Sequence, residues 1–309
     1  MTNKEIINWL LEGDVSIRYQ VHRDLLDLEQ VKLQKQIEKK GWGAKFLSKR
    51  RANGHWGIKF YQPKWTSSHY TLLDLRNLCI APDNKLTNES VDIIVKNEKG
   101  PDGGILPIGL DQKCDVCLNG MFLNYASYFK IEEKYLKSII DFILAQRMSD
   151  GGFNCRFNRF GAKHSSLHST LSVLEGITEY ENNGYTYRLK ELLKAKKSSI
   201  EFILEHRLFK SDKTGEIIDK KMLTLSYPSR WRYDILRALD YFQYAKVNYD
   251  ERIQDAIEVL VKKRTNDNVW KLQANHPGQF HFHMEKVGKP SRWNTLRALR
   301  VLKYYKISN

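Results

Sequence analysis

Cysteine is nearly missing from this chain: four residues in 309, at positions 79, 114, 117 and 155. That is too few for a disulfide framework, and two of them lie three residues apart, so thiol or metal chemistry is expected before covalent stapling. Proline is also scarce, at seven, and no Pro-, Ser- or Gly-rich linker interrupts the pattern. One domain over 1–309 is therefore expected, with an N-terminal hairpin in 1–40 and repeats in 41–309. Long apolar runs are missing too, which argues against a membrane span. The opening MTNKEIINWLLEG lacks the basic-then-apolar order of a signal peptide, so a cytoplasmic location is expected. Negative charge is in deficit, with 36 Asp+Glu against 51 Lys+Arg and a net charge of +15. The basic residues are scattered, so a solvated basic exterior is the plainer reading. A nucleic-acid surface or an anionic ligand such as a diphosphate is the alternative. Oligomeric state is left open.

What is present is a repeat. FILAQRMSDGGF (142–153) has partners in FLSKRRANGHW (46–56), IVKNEKGPDGGI (94–105) and LVKKRTNDNVW (260–270), with a looser copy from Phe202. The starts at 46, 94, 142, 202 and 260 give intervals of 48, 48, 60 and 58 residues, a length that suits a pair of helices. A second, apolar helix is expected after each: from Ser67, Cys114, His168, Arg232 and Asn294, with RYQVHRDLLDL near the N-terminus as a sixth behind Asp14 as N-cap. Apolar residues three and four apart, as in Leu171, Leu174 and Ile177, give each a buried stripe. Six hairpins point to a closed ring in which the first and last pack together, with an open HEAT-like solenoid as the alternative.

The turns DGGI (102–105) and DGGF (150–153), the DVC of 115–117 and the HSTLSVLEGI from His168 resemble the prenyltransferase and squalene-cyclase repeat superfamily over about residues 40 to 306. The resemblance implies an all-α (α/α)6 toroid around a central apolar cavity. It also implies catalytic zinc held by Asp115, Cys117 and His168, with His69 as a diphosphate contact and an apolar or isoprenoid-diphosphate-like ligand. Three protein ligands with one open position suit a catalytic zinc. The chain departs from that pattern in having only Lys113 as a basic residue before the motif, Leu118 after the cysteine, and His168 one place out of register. The alternative is that Asp115 caps a helix, Cys117 packs as a small apolar residue, and both histidines hydrogen-bond within the fold. Asp115 and Cys117 can share a metal only if a helix begins between them.

Acid-initiated cyclisation by this motif is disfavoured by chemistry. Where that branch needs an Asp cluster, this chain has DVCL. A thiol near pKa 8.5 is a worse proton donor than a carboxylic acid near 4, by about 6 kcal/mol. Cys114 and Cys117 form a CxxC pair, but no βαβ context surrounds it, and Cys114 could instead add a metal ligand. PSRW occurs twice, at 228–231 and 290–293, each time before an apolar helix. Arginine suits phosphate or carboxylate, and tryptophan suits apolar or cationic ligands. His281, His283 and Glu285 alternate in FHFHME, which could bind a metal from an extended segment, although a surface loop is the plainer reading.

The expected cavity lining is Trp65, His69, Asp115, Cys117, His164, His168, Trp231, Arg232, Asp234, Arg292 and Trp293, with His69, Arg232 and Arg292 as anion contacts. The leading expectation is a terpenoid- or prenyl-handling protein, a transferase or a relative of the cyclases. A non-enzymatic scaffold binding protein or nucleic acid is the second. A carbohydrate-active (α/α)6 enzyme is the third, with Asp115 and Asp234 as its only pair of acids.

Overall fold

The computed structural model describes residues 1–107 and 112–307. Among these residues the regular structure is helical, and β contacts occur only as isolated bridges. The helices are α1 (Asn3–Leu11), α2 (Val15–Gln20), which runs on into a π turn (Val21–Leu25), α3 (Val31–Gln36), α4 (Gly41–Leu47), α5 (Ser68–Asn77), α6 (Lys85–Asn97) and α7 (Val116–Tyr128). They continue as α8 (Glu133–Ala145), α9 (Cys155–Phe160), α10 (Leu167–Asn182), α11 (Leu189–Glu205), α12 (Ile235–Tyr244), α13 (Gln254–Lys262) and α14 (Arg292–Tyr304). Each of the six expected apolar segments is a helix, namely α2, α5, α7, α10, α12 and α14.

Two helix types alternate, and their patterns explain why. In α8 the buried side chains are Leu136, Ile139, Ile140, Phe142 and Ile143, one stripe on an otherwise polar helix. In α7, by contrast, every residue from Leu118 to Ser127 is buried, and α10 is buried almost as completely. A helix apolar or small on all sides finds no stable place at a surface, so it is enclosed and its amphipathic neighbour covers it.

A hydrogen bond repeats with the sequence. The backbone N–H of the residue ending each turn donates to a hydroxyl or amide early in the following buried helix: Trp56 to Ser68 (3.0 Å), Ile105 to Asn119 (2.7 Å), Phe153 to Thr170 (3.0 Å) and Trp270 to Thr295 (3.0 Å). These donors are buried, so an unmade bond would cost about 1–3 kcal/mol. In the DGG turns, Gly103 and Gly151 adopt φ of 88° and 94°, a region open to glycine.

The chain forms two compact units, one of Met1–Ser48, Asn77–Ala81 and Leu204–Asn309, the other of Lys49–Arg76 and Pro82–Ile203. In the second, α7 and α10 lie against each other at glycine distance: a Cβ on Gly120 would stand 2.7 Å from the Ser172 carbonyl oxygen and from Val173 Cα. In the first, α14 packs on α2 and its π turn, as expected for the first and last hairpins. Arg300 joins them, bonding Asp240 on α12 and Asp24 on the π turn (3.0 Å), while Arg297 bonds Asp240 at 3.1 Å. Lys303 reaches Asp27 at 2.7 Å, and Arg292 Nε donates to the Trp9 carbonyl at 2.9 Å. Burial would raise the Asp240 carboxyl, but Arg300 and Arg297 hold it below its ordinary range.

Candidate functional site

In the first unit the two PSRW copies are used differently. In the second copy Ser291 caps α14, accepting from the Asn294 N–H at 3.0 Å, and Arg292 and Trp293 are already helical. In the first copy the helix starts later, where Asp234 accepts from the Arg237 N–H at 2.8 Å, so Arg230, Trp231 and Arg232 remain in the preceding loop. Arg230 sits there at φ 59°, a left-handed conformation uncommon outside glycine, with 6% exposure. Such strain persists only where the surroundings hold it, and it collects at functional sites.

His276 lies within electrostatic reach of Arg232, Arg230 and Arg237. Burial, reinforced by Arg232, Arg230 and Arg237 in that order, pushes its pKa down to about 4, so the ring is neutral at physiological pH. Its Nε2 lies 3.3 Å from Ser226 Oγ. The Arg232 guanidinium stacks over Trp231 at 5.0 Å, and its buried Nε has no hydrogen-bond partner among the described residues. Asp234, 2% exposed, is raised by burial against the opposing pull of Arg297 and Arg237. Its Oδ2 has no hydrogen-bond partner among the described residues. The loop borders a narrow cleft lined by Phe46, Tyr227, Arg230, Phe280 and Phe282 among others. Tyr227 stacks on Trp293 at 4.6 Å, and Trp293 on Trp42 at 6.1 Å.

Other expected contacts in this unit are occupied. Arg292 lies over the Trp9 ring at 4.6 Å and holds the Trp9 carbonyl, so it ties α14 to α1 and is not an open anion contact. Trp293 is 1% exposed and packs as core. Glu285 accepts from the Arg292 N–H at 2.7 Å and from Ser291, so it caps α14 and does not join His281 and His283 as a metal set.

In the second unit α7 does begin between Asp115 and Cys117, with Asp115 at the N-cap. The sequence condition for a shared metal is met, yet the side chains go elsewhere. Asp115 pairs with Arg159 Nε at 3.1 Å, and the Cys117 thiol lies beside that of Cys155. His168 is half-buried at the start of α10, and His164 is exposed. Among the described residues no three His, Cys, Asp or Glu side chains are grouped to hold a metal ion. The donors therefore do not fit the zinc triad of Asp115, Cys117 and His168, because a guanidinium and a second thiol already engage two of them. Cys114 belongs to neither reading: Asp102 accepts from its backbone N–H at 2.8 Å, and burial and that carboxylate push its thiol well up.

His69 is fully buried, its Nδ1 3.2 Å from the Tyr125 hydroxyl, with the Phe60, Tyr61 and Tyr70 rings around it. Burial pushes its pKa down to about 3, so it is neutral and carries no charge to attract a diphosphate. Trp65 packs edge-on against Tyr70 at 4.7 Å in the same aromatic cluster. The Cys155 thiol is pulled down by the neighbouring Cys117, against burial and with help from Ser169.

Sequence reasoning missed Arg230, Arg237, His276 and Cys155. Arg230 was findable as the counterpart of Arg292 in the first PSRW. Cys155 follows a DGGF turn, and nothing in the order of residues places it beside Cys117. His276 lies in a loop without periodicity and gave no signal.

No family profile and no curated protein sequence matches the chain. Its structure is similar to that of a polysaccharide lyase (BACCELL_00875), with a TM-score of 0.53 and 11% identity, over 100% of this chain and 99% of that one. The fold is accordingly all-α and of the (α/α)-toroid class. No helix among the described residues is long and apolar enough to cross a membrane.

Proposed function

We propose, from a fold shared end to end with a polysaccharide lyase, that this chain binds and cleaves an acidic polysaccharide by elimination. The observation that carries the reading is a neutral imidazole, His276, within electrostatic reach of three guanidinium groups, Arg232, Arg230 and Arg237. Arginine suits the planar carboxylate of a uronate or a sulfate ester, and Trp231 and the aromatic pocket wall suit a sugar ring. An elimination needs little more. A carboxylate neutralised by arginine acidifies the adjacent C–H, and a base removes that proton. The electron pair becomes the new C=C bond as the glycosidic C–O bond breaks, and the leaving oxygen takes up a proton. His276 alone is a weak base because burial, with the arginine field added to it, holds its pKa down. A bound carboxylate offsets that field and raises the basicity of the ring when substrate is present.

Hydrolysis by a pair of acids has less support, since Asp115 is paired with Arg159 and Asp234 caps α12. A prenyl-handling role rests on the sequence motifs, with a zinc triad whose donors are engaged elsewhere. The test is to incubate the protein with alginate, polygalacturonate, hyaluronan, chondroitin sulfate and heparin and follow the ultraviolet absorbance of unsaturated uronate. At least one polymer should give product, and His276→Ala should lower the rate by about 10²–10⁴. No product from any polymer, together with a rise in melting temperature on adding farnesyl diphosphate, would return the prenyl reading to first place.

A further inference from the structure

We propose that Cys117 and Cys155 form a redox-active dithiol that a hydroperoxide converts to a disulfide, a modification site that stands apart from the saccharide reading. Cys117 is the second residue of α7 and Cys155 the first of α9, two helices in contact, and the two thiols lie close enough for each to shift the other's proton affinity. Both residues are partly exposed, so a small oxidant reaches them. The remaining thiols are placed differently. Cys114 is buried with Asp102 as its partner, and Cys79 is buried, accepting from Arg23 Nη1 at 3.4 Å. The CxxC spacing therefore points to the wrong partner: Cys117 meets Cys155, 38 positions along the chain (155 − 117 = 38), and not Cys114.

The step balances. One sulfur attacks the peroxide oxygen, the O–O bond breaks, and the departing alkoxide or hydroxide takes the thiol proton, leaving a sulfenic acid. The second sulfur displaces the sulfenic hydroxyl, which leaves as water with the second proton. Two thiols are oxidised by two electrons and one hydroperoxide is reduced to an alcohol, or to water in the case of hydrogen peroxide. The new bond would fix the first turn of α7 to α9, beside the Asp115–Arg159 ion pair and the Cys155 N–H bond to Ser169 Oγ at 3.0 Å.

The experiment treats the reduced full-length chain with hydrogen peroxide, blocks remaining thiols with N-ethylmaleimide and maps the peptides by mass. A Cys117–Cys155 cross-link is expected that dithiothreitol reverses and Cys114→Ser retains. In Cys117→Ser, the Cys155 sulfenic acid should persist and be trapped by dimedone, with circular dichroism showing the variant folded. A cross-link between Cys114 and Cys117, or two thiols that stay alkylatable throughout the titration, would overturn the proposal. So would a zinc ion that copurifies with the chain and is lost in Cys117→Ser, because the sulfurs would then be metal ligands.

Discussion

His276 owes its properties to neighbours that no local pattern announces. Its folded pKa of about 4 lies below the ordinary 6.5, so between those values the unfolded chain binds the proton more readily than the folded one. Stability therefore rises with pH across that window: the contribution is present above about 6.5 and lost as pH falls toward 4. His69, pushed to about 3, acts in the same direction over a wider range. The expected outcome is a urea midpoint that falls on acidification from pH 6.5 to 4, and a smaller fall in His276→Gln. Equal slopes for the two proteins would remove the assigned pKa. At this scale the sequence was least informative. The PSRW copies advertised arginine, but only the later start of α12 leaves Arg230 in the loop while Arg292 enters its helix.

The helices were far more legible, because burial on one side or on all sides is written in the spacing of apolar residues. α7 and α10 appeared from Cys114 and His168 within two residues of their observed starts at Val116 and Leu167. The N-terminal segment was expected as one helix, but it breaks into α2 and a π turn, and α9 was not foreseen because six residues carry too little periodicity. The buried bond from each turn to the next helix was also hidden, since Ser68, Asn119, Thr170 and Thr295 differ in type. It makes a prediction: Thr170→Val keeps the shape and leaves the Phe153 N–H unmet, which should cost about 1–3 kcal/mol in chemical denaturation. Gly120→Ala tests the α7–α10 contact. A methyl group 2.7 Å from backbone atoms must push the helices apart, and a loss of about 1–3 kcal/mol is expected. Unchanged stability in either variant would show that the helices yield at no cost.

For the molecule as a whole, the basic surplus that read as a solvated exterior in the sequence is partly internal. Arg230, Arg237 and Arg297 are each at most 6% exposed. Asp240, with a side chain 13% exposed, is the acid shared by Arg297 and Arg300. Asp240→Ala would strand the buried Arg297 guanidinium and leave Arg300 with Asp24 as its remaining acid, and a loss of about 3–5 kcal/mol is expected in urea denaturation, where a change below 1 kcal/mol would mean water already screens the network.

That network also sets a timetable for the chain as it leaves the ribosome. Asp24 is tied to α14 through Arg300, the 276th residue after it (300 − 24 = 276). At about 5–20 residues per second, roughly 14 to 55 seconds separate their synthesis. Throughout that interval the apolar faces of α2 and its π turn, with Ile17 and Val21 among them, have no α14 to cover them. This segment is thus among the last to reach its final packing, although it is made well before its partner, and a nascent-chain chaperone would find a long opportunity to bind it.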